Sequence, residues 1–297
     1  MFTYYNNVRE VLEMNVYTTE KIRNVVLLGH SGCGKTSLVE AMAYLAGQTT
    51  RMGTVADGST ISDFDKEEIK RQFSIHTSVV PIEWDNVKIN ILDTPGQFDF
   101  AAGLYEGISA AESVVIALPA KDGVQVGTIK AYREAVKHGK ATMFVVTRME
   151  EENSNFYKCL EELKTQFGPS ICPIVVPFDK YGTVESYINL LEMKAYTYDN
   201  GVPTEVPMPA SENRLKGLRA AMAEAVAETD EELMMRYFEN EGEDFTEAEI
   251  VKGLHDGIHK GYITPVVCCS GDTLAGIDMM LNTIIYTVSY THLRAHE

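Results

Sequence analysis

The stretch Gly29-His30-Ser31-Gly32-Cys33-Gly34-Lys35-Thr36 matches the phosphate-binding pattern G-x-x-x-x-G-K-[S/T]. It follows the apolar run Val-Val-Leu-Leu at residues 25–28, which predicts a buried strand. It precedes residues 37–46, whose composition predicts a helix. Between a strand and a helix, the N–H groups of such a loop and the positive end of the helix dipole converge on a phosphate. The stretch therefore predicts a nucleoside triphosphate site.

Within this loop, two side chains have specific expected roles. We expect Lys35 to reach the β- and γ-phosphate oxygens and the Thr36 hydroxyl to hold Mg²⁺. Ser37, the next residue, completes the set expected to contact the nucleotide. Cys33 lies at a helix N-terminus, where thiol pKa values tend to fall, but we favour a small residue that fills the loop over a redox switch.

The composition limits the partners and the compartment. The chain has 297 residues, of which 45% are hydrophobic, and a net charge of −17, which disfavours direct binding to the phosphate backbone of DNA. No apolar run approaches the roughly 20 residues that a membrane span needs. The five cysteines contain no C-x-x-C pair, which is typical of a reducing compartment. We therefore expect a cytoplasmic monomer that binds neither membranes nor DNA directly.

The order of apolar strand patterns and helix patterns predicts the fold class. Strands and helices alternate from residue 25 to residue 167. This order predicts an α/β fold of the P-loop NTPase type, with a mostly parallel sheet and helices on both of its faces. Residues 168–262 have a different pattern. It predicts short proline-containing strands and an acidic helical region that is broken at Thr229-Asp230. Thr246 and Glu249 have the spacing of a capping box. We interpret 168–262 as an inserted α+β subdomain.

Both ends of the chain differ from the rest. Residues 1–13 precede the segment that leads into the P-loop strand, and we interpret them as a non-native or disordered extension. Residues 288–297 continue no periodic element and resemble a translated cloning or sequencing remnant. The predicted nucleotide-binding domain is therefore 14–287.

Residues beyond the loop supply what phosphoryl transfer to water still requires. Asp93, at the end of a predicted strand, is placed to hold Mg²⁺, and Ser74 in the long polar segment 51–77 offers a second hydroxyl. The N–H of Gly96 is placed to meet the γ-phosphate, because glycine lets the backbone approach closely. Gln97 carries an amide that can orient the attacking water. We therefore expect Lys35, Gly96 and Gln97 to be catalytic and Thr36, Ser74 and Asp93 to serve the metal.

The chain resembles elongation factor G, a translational GTPase, over residues 14–287. The resemblance rests on the P-loop and on the segments SDFDKEE…RQFSI, DTPGQFDF, DGVQ, RMEEENSNFYK and VVCCSGD. It implies GTP and GDP as nucleotides, Mg²⁺ as cofactor, and ribosome-stimulated hydrolysis that moves tRNA and mRNA. The family also carries β-barrel and RNA-contacting domains. We expect this chain without them to bind nucleotide and hydrolyse it slowly, and not to translocate.

Two motifs in the expected switch segments depart from the family pattern. The family has Arg-Gly-Ile-Thr where this chain has Arg-Gln-Phe-Ser at 71–74, and Ser74 keeps the hydroxyl. The family has histidine where this chain has Gln97, and glutamine has the same role in Ras-like GTPases. We therefore expect the switch and hydrolysis to be retained.

The base-binding motif departs as well. Thr147-Arg148-Met149-Glu150 replaces the family's Asn-Lys-Met-Asp. Glu150 keeps the carboxylate that accepts from guanine N1–H and the 2-amino group, and Arg148 can stack on the base. Ser270 and Gly271 match the loop whose N–H faces the guanine oxygen. We therefore expect the guanine specificity to be relaxed, and we expect this chain to be a paralogue of the housekeeping factor.

Three alternatives remain open from the sequence. The chain is a non-hydrolysing nucleotide switch, a ribosome-protection or recycling paralogue of the same superfamily, or a P-loop ATPase or kinase of another family. The Asp-Thr-Pro-Gly turn at 93–96 disfavours the last. His255 and His259 lie one helical turn apart without a third ligand, so we expect no zinc site there.

Overall fold

The computed structural model describes residues 15–180, 182–209, 212–240 and 245–287, and its strands form two β-sheets. The predicted terminal segments 1–13 and 288–297 lie outside the described residues. Numbered in chain order, the strands are β1 (Ile22–Gly29), β2 (Ser78–Trp84), β3 (Val87–Asp93), β4 (Ser113–Pro119), β5 (Ala141–Thr147), β6 (Ile171–Pro173), β7 (Val175–Lys180), β8 (Thr183–Asn189), β9 (Lys194–Asp199), β10 (Val202–Val206) and β11 (Thr264–Cys268).

The helices follow the predicted alternation. They are α1 (Lys35–Leu45), α2 (Lys66–Arg71), α3 (Ala102–Ala110), α4 (Val126–Lys137), α5 (Phe156–Phe167), α6 (Glu212–Ala227), α7 (Glu231–Asn240), α8 (Glu247–His259) and α9 (Ile277–Thr287), with short 3₁₀ turns at Thr19–Lys21 and Phe98–Phe100. Within the described ranges, none of them combines the length and hydropathy that a membrane-spanning helix needs.

The larger sheet has the order β2-β3-β1-β4-β5-β11-β6. Its pairs are parallel except β2–β3, a hairpin whose turn residues Asp85 and Asn86 both have positive φ, as a type I′ turn requires. Residues 25–28 of β1 are at most 1% exposed, so this strand is covered on both faces. The arrangement confirms the predicted α/β fold with a mostly parallel sheet.

Parallel pairing determines where the loops meet. The carboxyl ends of β1, β3, β5 and β11 lie along one edge of the sheet, because parallel strands run in the same direction. The segments that follow these strands begin at His30, Thr94, Arg148 and Cys269. They are the segments in which the sequence predicts the site, so the topology gathers them from four places in the chain.

The smaller sheet is antiparallel, with the order β10-β9-β8-β7, and it falls within the predicted insertion. Strand β8 lies outside the stretches SICPIVVPF, MKAYTY and VPTEVPMP, in which the sequence predicts short strands. Strand β6 pairs with β11 in the larger sheet, so residues 171–173 join the core sheet although the range 168–262 assigns them to the insertion. The chain changes sheets at Ile174, whose N–H bonds to the carbonyl of Val266. The boundaries of the insertion stay a prediction.

The local helix signals are confirmed. The acidic helical region divides into α6 and α7, which begins after Asp230, and the side chain of Asp230 accepts from the N–H groups of Glu232 and Leu233. The capping box is present at the start of α8, where Thr246 and Glu249 exchange hydrogen bonds. Helix α2, inside the segment 51–77, was not predicted; Asp65 caps it and Glu68 completes a second capping box.

A cluster of aromatic rings fixes α4 and α5 to the sheet. Phe144 in β5 is completely buried, and its ring centroid lies 5.4 Å from that of Tyr132 and 5.3 Å from that of Phe167. Such ring pairs stabilise a core beyond the area that they bury. Phe144 therefore links the two helices to the strand that leads into the base-binding segment.

We expect Phe144→Ala to lower the free energy of unfolding by about 3–5 kcal/mol, because it removes buried contacts and leaves a cavity. Urea denaturation followed by circular dichroism measures the change. Phe144→Leu, which keeps most of the volume, serves as the control and should lose clearly less. A loss of under about 1 kcal/mol in the alanine variant would contradict the assigned core position.

Candidate nucleotide-binding site

The phosphate loop connects the end of β1 to the start of α1. Gly34 has φ 89° and lies immediately before Lys35, the first residue of the helix. Glycine adopts this left-handed backbone without a steric penalty. The loop has the local geometry that the sequence pattern predicts.

Lys35 lies beneath the loop that it follows. Its side chain is buried, and Nζ donates to the carbonyl oxygens of Gly29 at 3.2 Å and of His30 at 3.1 Å. The backbone of Gly96 lies close to this ammonium group, since a Cβ at position 96 would be 2.5 Å from Lys35 Nζ. The ammonium group and the Gly96 backbone therefore meet across the mouth of the loop, and a side chain at 96 would block their approach.

Asp93 is the meeting point of three segments. Thr36 Oγ1 donates to Asp93 Oδ2 at 2.9 Å, and Ser62 Oγ donates to the same oxygen at 2.8 Å. Ser74 Oγ lies 3.2 Å from Thr36 Oγ1. Asp93 is 1% exposed, and its Oδ1 has no hydrogen-bond partner among the described residues. The predicted metal residues Thr36, Ser74 and Asp93 are therefore brought together.

The environment of Asp93 disfavours its charged form. Burial raises its pKa to about 6, while the Lys35 ammonium and the hydrogen bonds from Ser62 and Thr36 act in the opposite direction, and nearby Asp63 adds to the rise. A cation in front of Oδ1 would favour the charged form. The carboxylate therefore fits a divalent metal.

Sequence reasoning missed Asp63 and Ser62. Asp63 is 5% exposed, and burial raises its pKa against a hydrogen bond from Ser74. Its Oδ2 is buried without a partner in the described part of the chain. Both residues lie in the acidic stretch SDFDKEE, which is one of the segments that carry the family resemblance.

A cavity of about 290 Å³ opens in front of the loop. Its walls include most of the predicted phosphate and metal residues together with residues of the segment 51–77: Ser31, Gly32, Gly34, Lys35, Thr36, Ser37, Val55, Asp63, Gln72, Phe73, Ser74, Gly96, Gln97 and Arg148. Gly29, His30 and Cys33 do not line it. The carbonyls of Gly29 and His30 bond to Lys35, and that of Cys33 bonds to Thr147, so these three residues build the loop from behind.

A second cavity of about 170 Å³ adjoins the first and shares Gly34, Ser37 and Arg148 with it. Glu150 and Gly271 line this second cavity, as expected of a base-binding pocket. Arg148 is held by an ion pair with Glu151, at 2.8 Å between Nη1 and Oε1.

Two predicted base-binding residues also make buried contacts within the protein: Thr147, which lines this second cavity, and Ser270, which does not. The Thr147 hydroxyl donates to the carbonyl of Cys33 at 2.7 Å and to that of Leu118 at 3.3 Å, so it joins β5 to the phosphate loop. Ser270 is fully buried, and its N–H donates to the carbonyl of Ala275. The N–H of Ser270 is therefore already used within its own loop.

Comparisons with known proteins agree on one family. The sequence profile described as "Elongation factor Tu GTP binding domain" matches residues 20–289. The chain is 33% identical over 263 residues to an elongation factor G-like protein of Thermotoga maritima, covering 89% of this chain and 37% of that protein. It is 32% identical to an elongation factor G-like protein of Mycobacterium tuberculosis, covering 87% and 36%.

A solved structure is similar over nearly the whole chain. A crystal structure of a protein from Thermus thermophilus matches with a TM-score of 0.85 and 34% sequence identity, covering 91% of this chain and 41% of that one. The chain spans 36–37% of the length of the curated relatives that it matches.

We expect Thr147→Val to lower the free energy of unfolding by about 1–3 kcal/mol, because it leaves the buried carbonyl of Cys33 without its donor. Thr147→Ser keeps the hydroxyl and is the matched control. Urea denaturation of both variants measures the difference. Equal losses would show that the methyl group, and not the hydrogen bond, stabilises the loop.

Proposed function

This chain belongs to the family of elongation factor Tu GTP-binding domains, and we propose that it binds GTP and GDP with Mg²⁺ and hydrolyses GTP to GDP and phosphate. The observation that carries the proposal is the convergence of Lys35, Thr36, Ser74 and Gly96 on one cavity, with Asp93 behind them. These residues come from three segments of the chain: the phosphate loop, the segment 51–77 and the turn 93–96. A phosphate-binding loop that formed by chance would not bring them together.

The residues present fit a magnesium ion. The hydroxyls of Thr36 and Ser74 and the carboxylate of Asp93 are oxygen ligands of the kind that Mg²⁺ prefers, and the unpartnered Oδ1 of Asp93 is the acceptor that a metal or its water would satisfy. Asp63 adds a second carboxylate to the same wall. When bound, Mg²⁺ supplies positive charge that neutralises the charge on the β- and γ-phosphates.

The protein groups divide the remaining work. The loop N–H groups and the N-terminus of α1 bind the β-phosphate, and Lys35 stabilises the charge that develops between the β- and γ-phosphates. The N–H of Gly96 is placed for the γ-phosphate. Gln97 lines the same cavity, and its amide can accept from and donate to the attacking water. Water attacks the γ-phosphorus, the bond to the β-γ bridging oxygen breaks, and GDP leaves.

The second cavity is suited to the base. The Arg148 guanidinium, oriented by Glu151, offers a flat face for stacking. Glu150 is exposed and lines this cavity, where its carboxylate can accept from N1–H and the 2-amino group of guanine. Adenine offers no such pair of donors, so the proposed nucleotide is guanine-based.

We propose the ribosome as the partner of the whole protein, with translocation of tRNA and mRNA as the process that it drives in the cytoplasm. The support is that the curated relatives are named as elongation factor G-like proteins, although this chain covers 37% or less of their length. The net charge of −17 argues that this part of the protein does not contact nucleic-acid backbones by itself. We propose that it acts as a monomer.

We expect GTP to displace a fluorescent GDP analogue at a concentration about 10–100-fold lower than ATP, since loss of a bidentate contact to a base edge costs about 1–3 kcal/mol. Competition binding with the purified chain measures the ratio. Glu150→Gln should reduce it, because an amide presents one acceptor where the carboxylate presents two. Equal competition by GTP and ATP in the parent protein would exclude the guanine assignment.

We expect Gln97→Ala to lower the single-turnover rate of GTP hydrolysis by about 100-fold, because the attacking water loses its orienting group. GTP affinity should remain unchanged. Gln166→Ala, at an exposed position of α5 that lines neither cavity, is the control. Absence of turnover in the parent chain, with and without ribosomes, would support a non-hydrolysing switch instead.

A further inference from the structure

The segment 51–77, here called the metal-facing arm, carries Ser62, Asp63 and Ser74 to the phosphate loop. The arm spans 27 residues, of which only the six of α2 are helical. It contributes no strand to either sheet. Its position must therefore be held by other contacts, because ordering an irregular segment with unpaired backbone groups is costly in conformational entropy.

The carboxylate of Glu68 holds the part of the arm that contains Ser74. Glu68 is 1% exposed. Its Oε1 accepts from the N–H groups of Ile75 at 2.9 Å and His76 at 3.0 Å, and its Oε2 accepts from the N–H of Asp65 at 3.1 Å. Two of the three donors directly follow Ser74, so this one side chain determines where the serine hydroxyl is presented.

The carboxylate of Glu40 holds the other part of the arm. Glu40 is 2% exposed and lies in α1, one helical turn beyond Thr36. Its Oε1 accepts from the N–H of Gly53 at 2.7 Å, and its Oε2 accepts from the N–H of Ile61 at 2.8 Å. Ile61 directly precedes Ser62 and Asp63. The helix that presents Thr36 therefore also fixes the stretch that carries these two residues.

Because both carboxylates are buried, they require the hydrogen bonds that the arm donates to them. A carboxylate removed from water is costly unless hydrogen-bond donors surround it, and bonds to a charged acceptor are about twice as strong as neutral ones. Together, Glu40 and Glu68 accept five backbone N–H groups of the arm. Neither side chain lines the nucleotide cavity, so a direct role toward the ligand is not part of their geometry.

We propose that Glu40 and Glu68 are positioning residues for the magnesium site: their carboxylates fix the metal-facing arm, and Ser74 with it, against the phosphate loop. The inference rests on the proposed function. It assigns the metal affinity of this chain partly to two side chains that do not touch the metal. Loss of such outer groups typically costs about 10–100-fold in metal affinity.

The first test is Glu68→Gln. A glutamine can still accept from the N–H of Asp65 and keep the capping box of α2. Its side-chain amide has one acceptor oxygen where the carboxylate has two. The N–H groups of Ile75 and His76 therefore lose their acceptor, while the start of α2 is retained. We expect faster hydrogen exchange in peptides that contain residues 74–77. We also expect about a tenfold rise in the Mg²⁺ concentration that half-saturates binding of a non-hydrolysable GTP analogue.

The second test is Glu40→Gln, with Glu162→Gln as the matched control. Glu162 also accepts from a loop N–H, that of Val124 at 3.0 Å, but it lies in α5 outside the arm. Glu40→Gln should raise the half-saturating Mg²⁺ concentration, and Glu162→Gln should not. GDP affinity in EDTA should remain that of the parent in all three variants, because the phosphate loop is unaltered.

A double-mutant cycle separates positioning from general stability. Ser74→Ala alone should raise the half-saturating Mg²⁺ concentration, and Glu68→Gln should add little to it if Glu68 acts through Ser74. Lower melting temperatures with unchanged Mg²⁺ dependence would overturn the inference and leave the proposed function intact. A parent chain that binds no guanine nucleotide at any Mg²⁺ concentration would instead overturn the proposed function.

Discussion

The site depends on one buried carboxylate that accepts hydrogen bonds from hydroxyl groups of two other segments. Asp93 is the last residue of β3, and one of its oxygens accepts from the hydroxyl of Thr36 in the phosphate-loop helix and from that of Ser62 in the metal-facing arm. A charge at this depth is tolerated only with such donors and with a cation nearby. Sheet, helix and arm are therefore held in register by the requirement to compensate one charge.

The same requirement extends outward from Asp93. Asp63, Glu40 and Glu68 are further carboxylates with little solvent contact, and the buried ammonium of Lys35 acts on Asp63 as well as on Asp93. Backbone N–H groups satisfy the two glutamates, whereas Asp93 and Asp63 each keep one oxygen without a partner in the described chain. The pattern distinguishes groups that hold the arm from groups that face a ligand. In the proposed function, the unpartnered oxygens of the second kind face the divalent cation that accompanies the triphosphate.

The base pocket is built on a different principle. Thr147 joins β5 to the phosphate loop through its hydroxyl, and the Glu151 carboxylate orients Arg148 between the two cavities. Glu150, which we propose recognises the base, is exposed at the rim of this pocket. Within the motif 147–150, Thr147 is tied to the phosphate loop by a buried hydrogen bond, whereas Glu150 is exposed and makes no such contact with the loop.

Local spacing and strand periodicity were enough to predict the phosphate loop, the parallel sheet and the identity of Lys35, Thr36, Asp93 and Gly96, because each of these follows from residues close together in the chain. Helix α2, strand β8, the pairing of β6 with β11 and the burial of Ser270 required the tertiary structure. So did the roles of Asp63, Glu40 and Glu68. These roles depend on contacts with groups that are distant in the chain. A linear pattern of acidic residues does not distinguish a carboxylate that faces solvent from one that accepts a buried N–H.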